Sequence, residues 1–185
     1  MSRVMTWIAT IVLLIAAGIV SASAPAEDAE ADPFFVTGKI GEPVTGRDIV
    51  ATVTDARTTT LLTAADGWRS EANWLVVDLE AASVTGPLLA DITGAVSLHG
   101  AVFVLDGREF RASERMDSLF GQRLNPGVPY AGALAFELSE LAGTGVLQLS
   151  LTSDRRVDSV LEVPIDLDER EPADELAMPE TAWAR

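Results

Sequence analysis

Hydrophobic residues recur at every second position between residues 41 and 167, and this period of two limits the possible folds more than any other feature. In the run NWLVVDLEA, Leu75, Val77 and Leu79 alternate with residues that include Asp78. Strands with one buried face show this alternation, because successive side chains point to opposite sides of a sheet. The runs DIVATVTDAR, GALAFEL, VLQLSLTS and VLEVPIDL repeat it. The pattern predicts a body made of short β-strands.

Turn signals separate these runs. Asp106-Gly107 lies between two apolar-rich runs, and Asp-Gly favours a type I′ hairpin, in which both central residues need a positive φ. Trp74 is the candidate buried aromatic of an early strand. Pro164 predicts that the last strand lies at a sheet edge, where its missing N–H costs least. About seven to eight such strands predict an all-β antiparallel sandwich, with a closed barrel as the alternative.

The N-terminal segment carries no charge from Val4 to Ala26, and its apolar core runs from Trp7 to Val20. Roughly 20 residues at 1.5 Å each cross a hydrocarbon core of about 30 Å. Arg3 precedes the segment and acidic residues follow it, so the positive-inside rule places the rest of the chain outside the cytoplasm. We expect a single-pass membrane anchor. The alternative is a secretory signal cleaved near Ala26, after an Ala-x-Ala pattern.

The composition of the two flanks predicts the domain organisation. Residues 1–26 form the anchor or signal, and residues 27–40 form a linker, because EDAEADP is charged and small. Residues 41–167 form the sandwich domain. Residues 168–185 are predicted to be an acidic disordered tail, since the run DLDEREPADE, which begins at Asp166, has six acidic residues and one arginine.

Composition also removes several classes of function. The chain has no cysteine and one histidine, which excludes disulfides, thiolate metal sites and clusters of histidine ligands. Its net charge of -15 repels phosphate backbones, and we expect no nucleic-acid partner. The sequence contains no glycine-rich phosphate loop and no G-x-S-x-G motif. We therefore predict no cofactor, no metal ion and no enzymatic activity.

The single histidine and the paired carboxylates are weak candidates for catalysis. His99 has no recognisable nucleophile beside it, and we expect it to be an exposed or hydrogen-bonded structural residue. Asp78 and Glu80 would serve glycoside hydrolysis only if they faced each other across a cleft. The alternation instead places both on the solvent face of their strand. We predict no catalytic residue.

Arginine and tryptophan side chains are better candidates for contact with a partner. Four arginines fall in the run DGREFRASERMDSLFGQR, and a guanidinium fork matches a carboxylate in two hydrogen bonds. Trp68 is a candidate for sugar stacking or partner contact, or for capping the sandwich end. The predicted contact surface consists of Trp68, Arg69, Arg108, Arg111, Arg115 and Arg123. Ordinary surface ion pairing is the alternative for the arginines.

Five runs follow one another in a recognisable order: GEPVTGRDIVATVTDAR, NWLVVDLEA, VLDGREFRAS, SLFGQRLNPGVPYAGALAFEL and VLEVPIDL. Together they resemble the extracytoplasmic Ig-like domains of unknown function of Gram-positive bacteria, which often follow one N-terminal helix. Twelve arginines against one lysine, with many alanines, look actinobacterial. The resemblance covers residues 41–167. It implies an antiparallel Ig-like β-sandwich and an extracytoplasmic location, and it supplies no catalytic residue.

Two expectations of function follow. The first is a membrane-tethered extracytoplasmic Ig-like module that acts without catalysis, through a protein partner in the cell envelope. The second is a secreted domain that binds a small ligand or a glycan. An enzyme such as a hydrolase is the least expected of the three.

Overall fold

The computed structural model describes residues 3–23, 33–84, 96–152 and 159–184, and the chain divides into two units after Asp32. The first unit contains α1 (Arg3–Ser23). Within the described residues, no helix is both long and apolar enough to cross a membrane. The predicted transmembrane anchor is therefore not confirmed. The strongly apolar core has 14 residues, which extend about 21 Å as a helix against about 30 Å of hydrocarbon.

The second unit consists of β-strands joined by turns. Its described strands are β1 (Phe34–Thr37), β2 (Pro43–Thr45), β3 (Ile49–Thr63), β4 (Arg69–Ser83), β5 (Val96–Ser97), β6 (Gly100–Leu105), β7 (Arg108–Arg111), β8 (Arg123–Leu124), β9 (Tyr130–Leu138), β10 (Thr144–Ser150), β11 (Ser159–Asp166), β12 (Leu176–Ala177) and β13 (Ala182–Trp183).

Most of these strands form two sheets. Sheet A has the order β1-β11-β10-β6-β7, and sheet B has the order β12-β3-β4-β9-β13, with β2 also paired to β3. Neighbouring strands are antiparallel, except that β1 is parallel to β11 and β12 is parallel to β3. Strands β5 and β8 form a small separate pair. The predicted all-β fold with antiparallel sheets is confirmed at this level.

One hydrophobic core joins residues of both sheets. From β4 of sheet B, Leu75, Val77 and Leu79 belong to it, as the alternation predicts, and Phe103 joins them from β6 of sheet A. Burial stabilises each such side chain by about 1.5–3 kcal/mol relative to exposure. All buried residues of this core fall between positions 44 and 167. The second unit therefore carries a core of its own.

The β6–β7 connection is the predicted Asp-Gly hairpin. Asp106 has a φ of 49° and Gly107 a φ of 75°, and Leu105 pairs with Arg108 on either side of them. Two positive φ values in a two-residue loop define the type I′ turn, whose twist matches that of the strands. The hairpin prediction is confirmed.

The predicted edge position of Pro164 is wrong for its strand as a whole, because β11 lies between β1 and β10. The ladder to β1 is short, however. It runs from Phe34 to Thr37, and the Gly38 N–H then donates to the Glu162 carbonyl at 2.8 Å. Pro164 has no N–H with which to extend this ladder. We infer that this missing donor is the reason why β1 ends where it does.

The outer face of sheet B carries a second hydrophobic cluster. Trp74 and Val76 of β4 and Ala135 of β9 pack there with Met116 and Met178. Trp74 is completely buried. The predicted buried aromatic is therefore confirmed, although its cluster is separate from the inter-sheet core. Strands that are covered on both faces need apolar residues at successive positions, which the LVV of β4 supplies.

The C-terminal strap, residues 168–184, contributes to this cluster and borders sheet B on two sides. Its strand β12 pairs with β3 at one edge, and β13 pairs with β9 at the other. Between these strands, Met178 packs into the second cluster. The predicted acidic disordered tail is therefore wrong for residues 168–184.

Backbone and hydroxyl groups hold the strap, which is why its acidic composition was misleading. The Ala173 N–H donates to the Thr58 carbonyl, and Thr59 Oγ1 donates to the Ala173 carbonyl, both at 2.8 Å. The Met178 N–H donates to the Thr63 carbonyl, also at 2.8 Å. Strand pairing satisfies these polar groups without requiring apolar side chains. The acidic side chains of the strap remain largely in solvent.

The predicted linker is also wrong from Pro33 onward. Strand β1 pairs with β11, and the Gly41 N–H donates to the Val53 carbonyl at 2.7 Å. Residues 27–32 lie outside the described residues. The folded domain thus extends beyond the predicted range 41–167 at both ends, beginning at Pro33 and including the strap.

Candidate functional site

A small cavity lies beside the β6–β7 hairpin of sheet A, with a volume of about 60 Å³. It brings together two residues that the sequence singled out separately, the only imidazole and one of the candidate arginines. The lining side chains that give it chemistry are His99, Val102, Glu109, Arg111, Glu114 and Phe120.

The register of the hairpin places the charged pair on one face of the sheet. Val102 pairs with Arg111 and Val104 pairs with Glu109. Because Phe103 of the same strand is in the core, Val102 and its partner Arg111 face the opposite side, which is the outer face of sheet A. The type I′ turn fixes this register, since a slip of one residue would turn both charges toward the core.

His99 is held at the cavity by its backbone and by one ring contact. Its N–H donates to the Leu151 carbonyl at 3.1 Å. Its ring meets the Phe120 ring edge-on, with centroids 5.8 Å apart and planes at 84°. Gly121 has a φ of 75°, which turns the chain beside the imidazole. The predicted exposed, structurally bonded histidine agrees with this geometry, and the ring nitrogens can still donate to or accept from a bound group.

The cavity combines both signs of charge with an apolar wall. Arg111 supplies a guanidinium, Glu109 and Glu114 supply carboxylates, and Phe120 supplies an aromatic surface. The cavity of about 60 Å³ is less than half the size of an engineered cavity of about 150 Å³ that holds benzene. The space therefore suits one terminal group, such as the carboxylate or amide of a side chain.

The other arginines of the predicted contact surface are spread over different elements. Arg108 lies in β7, where it pairs with Leu105, and Arg69 opens β4. Arg115 forms an exposed ion pair with Glu137, with 3.7 Å between Nη1 and Oε2. Arg123 belongs to β8. Exposed pairs of this kind contribute about 0–1 kcal/mol, so ordinary surface pairing describes Arg115.

Trp68 is half-buried, which leaves little of its ring for sugar stacking. Its ring meets that of Trp74 edge-on, with centroids 5.8 Å apart and planes at 79°. It also packs against the second cluster, which contains Met116. This contact places Trp68 against the outer face of sheet B, which differs from the predicted position over the end of the sandwich.

An ionic network on the outer face of sheet B was missed by sequence reasoning. Arg57 Nη2 lies 2.6 Å from Asp78 Oδ2, and Arg170 Nη1 lies 3.8 Å from Asp55 Oδ1 and donates to the Ala56 carbonyl at 2.6 Å. The Asp78 side chain is 21% exposed, so the predicted solvent-facing carboxylate is mostly covered. No spacing in the sequence links Arg170 to residues more than 100 positions earlier.

Burial raises the pKa of Asp78, and the nearby Asp55 charge raises it further, while the Arg57 guanidinium opposes both through charge and hydrogen bonding. The balance raises the pKa of Asp78 above the ordinary value for aspartate. Because this carboxyl is bonded to Arg57 and lies in a network that reaches the strap, we assign it a structural role. Within the described part of the chain, no group of three or more His, Asp or Glu side chains is arranged to hold a metal ion.

No family model and no curated protein matches this chain. Among solved structures, a candidate lipoprotein from Staphylococcus aureus subsp. aureus NCTC 8325 aligns with it at 11% identity. The alignment covers 75% of this chain and 97% of that chain, with a TM-score of 0.47. The site is therefore interpreted from its own geometry.

Proposed function

We propose that this protein is an exported Ig-like β-sandwich that acts without catalysis, by binding a partner protein of the cell envelope. The cavity beside His99 carries the proposal. It has room for one side-chain group, and its lining offers a guanidinium, two carboxylates and an imidazole for recognition. Small-molecule sites commonly enclose about 300–1,000 Å³. The cavity's size therefore favours a protein partner over a free sugar or a drug-sized ligand.

Strand order supports the Ig-like part of the proposal. In sheet B, β3, β4 and β9 are adjacent in that order, which corresponds to the strands called A, B and E in an Ig domain. In sheet A, β7, β6, β10 and β11 are adjacent, which corresponds to C′-C-F-G. The chain passes through them in the sequence A, B, C, C′, E, F, G. An up-and-down barrel would place consecutive strands side by side throughout, whereas here β4 to β6 and β9 to β10 change sheets.

Site-specific crosslinking tests the proposed partner. A photoreactive amino acid replaces Phe120 in the full chain, expressed in its own cells, and crosslinked species are identified by mass spectrometry. We expect one envelope protein to be captured, with at least a fivefold loss when Arg111→Gln is added. The matched control places the same group at Glu71, an exposed residue on β4. A capture that is equal at both positions, or a captured glycan or metabolite, would contradict the proposal.

Export is tested separately. The charge-free segment after Arg3, followed by Ala-x-Ala patterns, supports export, and we propose that cleavage near Ala26 releases the domain from the segment. N-terminal sequencing of the protein from membrane and medium fractions reads the result directly. A new terminus between residues 24 and 28 supports cleavage, whereas an intact terminus in the cytoplasmic fraction contradicts export.

A further inference from the structure

The edges of the two sheets differ in how they resist pairing with another strand. Strand β7, at one edge of sheet A, presents Arg108, Glu109 and Arg111 within four residues. Charged side chains on an edge oppose the addition of a further strand. At the edges of sheet B, β12 and β13 have two residues each, and β2 begins with Pro43. By contrast, β1 at the other edge of sheet A reads FFVT and carries no charge.

The backbone of β1 offers hydrogen bonds on its outer side. The Gly38 N–H donates to Glu162 of β11, and alternate residues of a strand direct their backbone groups to opposite sides. The N–H and C=O groups of Phe35 and Thr37 therefore point away from β11. In the part of the chain that the structure describes, sheet A has no strand beyond β1 on this side. An added strand can bond to both residues.

Two exposed aromatic side chains flank this edge. Phe34 is 60% exposed and Phe35 is 54% exposed, and successive side chains lie on opposite faces of the strand. At about 200 Å² per aromatic side chain, they present roughly 230 Å² of apolar surface. A standard interface between folded proteins buries about 800 Å² per partner. The two rings alone supply much less than the area of such an interface, and they suit contact with one extended segment.

Cations stand near both ends of β1. The Arg47 guanidinium carbon lies 5.4 Å from the centroid of the Phe34 ring, and the exposed Lys39 follows the strand by two residues. Lys39 is the only lysine of the chain, whose net charge is -15. The net charge repels every acidic partner, and it repels a second copy, which carries the same -15, more strongly than a short segment. Close to β1, carboxylates of such a segment that face Arg47 and Lys39 are attracted.

We propose that β1 is a second docking surface, which takes an extended peptide segment as an added strand of sheet A. The segment has uncharged, apolar residues between two acidic residues spaced about five positions apart. Backbone bonds to Phe35 and Thr37 supply affinity, the two phenylalanines pack on its side chains, and the cations set its position, which is the general mode of strand addition. The surface lies at the opposite edge of sheet A from the His99 cavity and does not depend on it.

A displayed library of random octapeptides tests this surface. The bait is the chain from Glu27 onward, which contains both hydrophobic clusters. We expect enrichment of octapeptides with acidic residues about five positions apart and uncharged residues between them. A synthetic copy of an enriched peptide is expected to bind at least tenfold more weakly to Phe35→Pro, which removes the outward N–H and the ring. Lys39→Glu, an exposed change outside the strand, is expected to weaken binding at least threefold.

Hydrogen exchange supplies the second measurement. The bound peptide is expected to slow exchange of the Phe35 and Thr37 amides at least tenfold and to leave that of Phe110 in β7 unchanged. Peptides that bind Phe35→Pro and Lys39→Glu as well as the parent, or protection confined to other strands, would overturn the proposal, as would a library without enrichment. Binding should persist in Arg111→Gln, so a failure here and a failure of the His99 cavity are distinguishable.

Discussion

Sheets A and B share one core but differ on their outer faces. On sheet B, Trp74 and Val76 belong to a second hydrophobic cluster that includes Met178 of the C-terminal strap. On sheet A, the corresponding row runs from Glu162 through Gln148 and Val102 to Arg111. Gln148 Nε2 donates to Glu162 Oε1 at 2.8 Å in this row. One outer face thus contributes to stability, while the other presents polar groups to solvent.

This difference between the outer faces separates stability, which depends on sheet B, from binding, which we assign to sheet A. Strands covered on both faces stabilise sheet B, while the outer face of sheet A ends at the exposed Arg111 of β7, which is available for recognition. Both proposed binding surfaces, the His99 cavity and the β1 edge, belong to sheet A. Changes on the outer face of sheet B should therefore affect stability, and changes on sheet A should affect binding.

Removal of the strap should have the largest effect. A chain that ends at Leu167 loses β12, β13 and Met178, which leaves the second cluster facing water. We expect a loss on the order of 5 kcal/mol in the free energy of unfolding, a large share of the total for a domain of this size. Urea denaturation and binding of a hydrophobic dye measure it. A disordered tail would instead be removable at no cost, so an unchanged midpoint would reject the strap.

Trp74→Ala should be the most damaging single substitution on the outer face of sheet B. The side chain is fully buried, and loss of a buried tryptophan costs about 3–5 kcal/mol. The matched control is Trp183→Ala, because Trp183 is 53% exposed and stacks on Tyr130 at the sheet edge. We expect the control to cost less than about 1.5 kcal/mol. Equal losses in denaturant titrations would remove the distinction between covered and open surfaces.

The Asp78 carboxyl should give a smaller, pH-dependent effect. Its folded pKa is raised by burial and by Asp55 against the opposing Arg57, so the folded state holds its proton at higher pH than the unfolded state does. The contribution of the Asp78 carboxyl to the free energy of unfolding is greatest at pH values below the ordinary aspartate pKa of about 3.9. It falls as the pH rises through the raised pKa of the folded state. We expect the stability of the parent relative to Asp78→Asn to fall over this interval in urea titrations. A rise with pH would show that Arg57 prevails over burial.

Arg111→Gln should have the smallest effect on stability. Arg111 is exposed at the edge of sheet A, and surface substitutions usually change the free energy of unfolding by less than about 0.5 kcal/mol. His99 is the only histidine and gives a single Hε1 signal in a proton spectrum, and we expect that signal to move because Arg111 lines the same cavity. If Arg111→Gln lowered the free energy of unfolding by more than about 1 kcal/mol and left the His99 signal unmoved, Arg111 would have a structural role in the sheet and no role in the cavity.

The sequence predicted the buried positions correctly where one face of a strand packs against the core. The alternation around Leu75 identified buried positions, and Asp106-Gly107 identified its hairpin, because both depend on neighbouring residues. The alternation did not reveal that Trp74 and Val76 are also covered, since a partner such as Met178 lies about 100 positions away. The strap was missed because its backbone bonds to Thr59 require no apolar pattern. His99 and Arg111 are 12 positions apart, and only the register of the hairpin joins them.

The position of β12 and β13 in the chain has a consequence for biogenesis. Residues 176–183 leave the ribosome, or emerge from a translocation channel, after every long strand of the domain. Until then Trp74 lacks the cover of Met178, and two edges of sheet B lack their last strands. Chain segments generally fold in the order in which they emerge, and incomplete sheets expose apolar surface. We therefore expect nascent chains that stop before the strap to stay protease-sensitive and able to cross a translocation channel. Synthesis of residues 176–183 is then the step that commits the domain to fold.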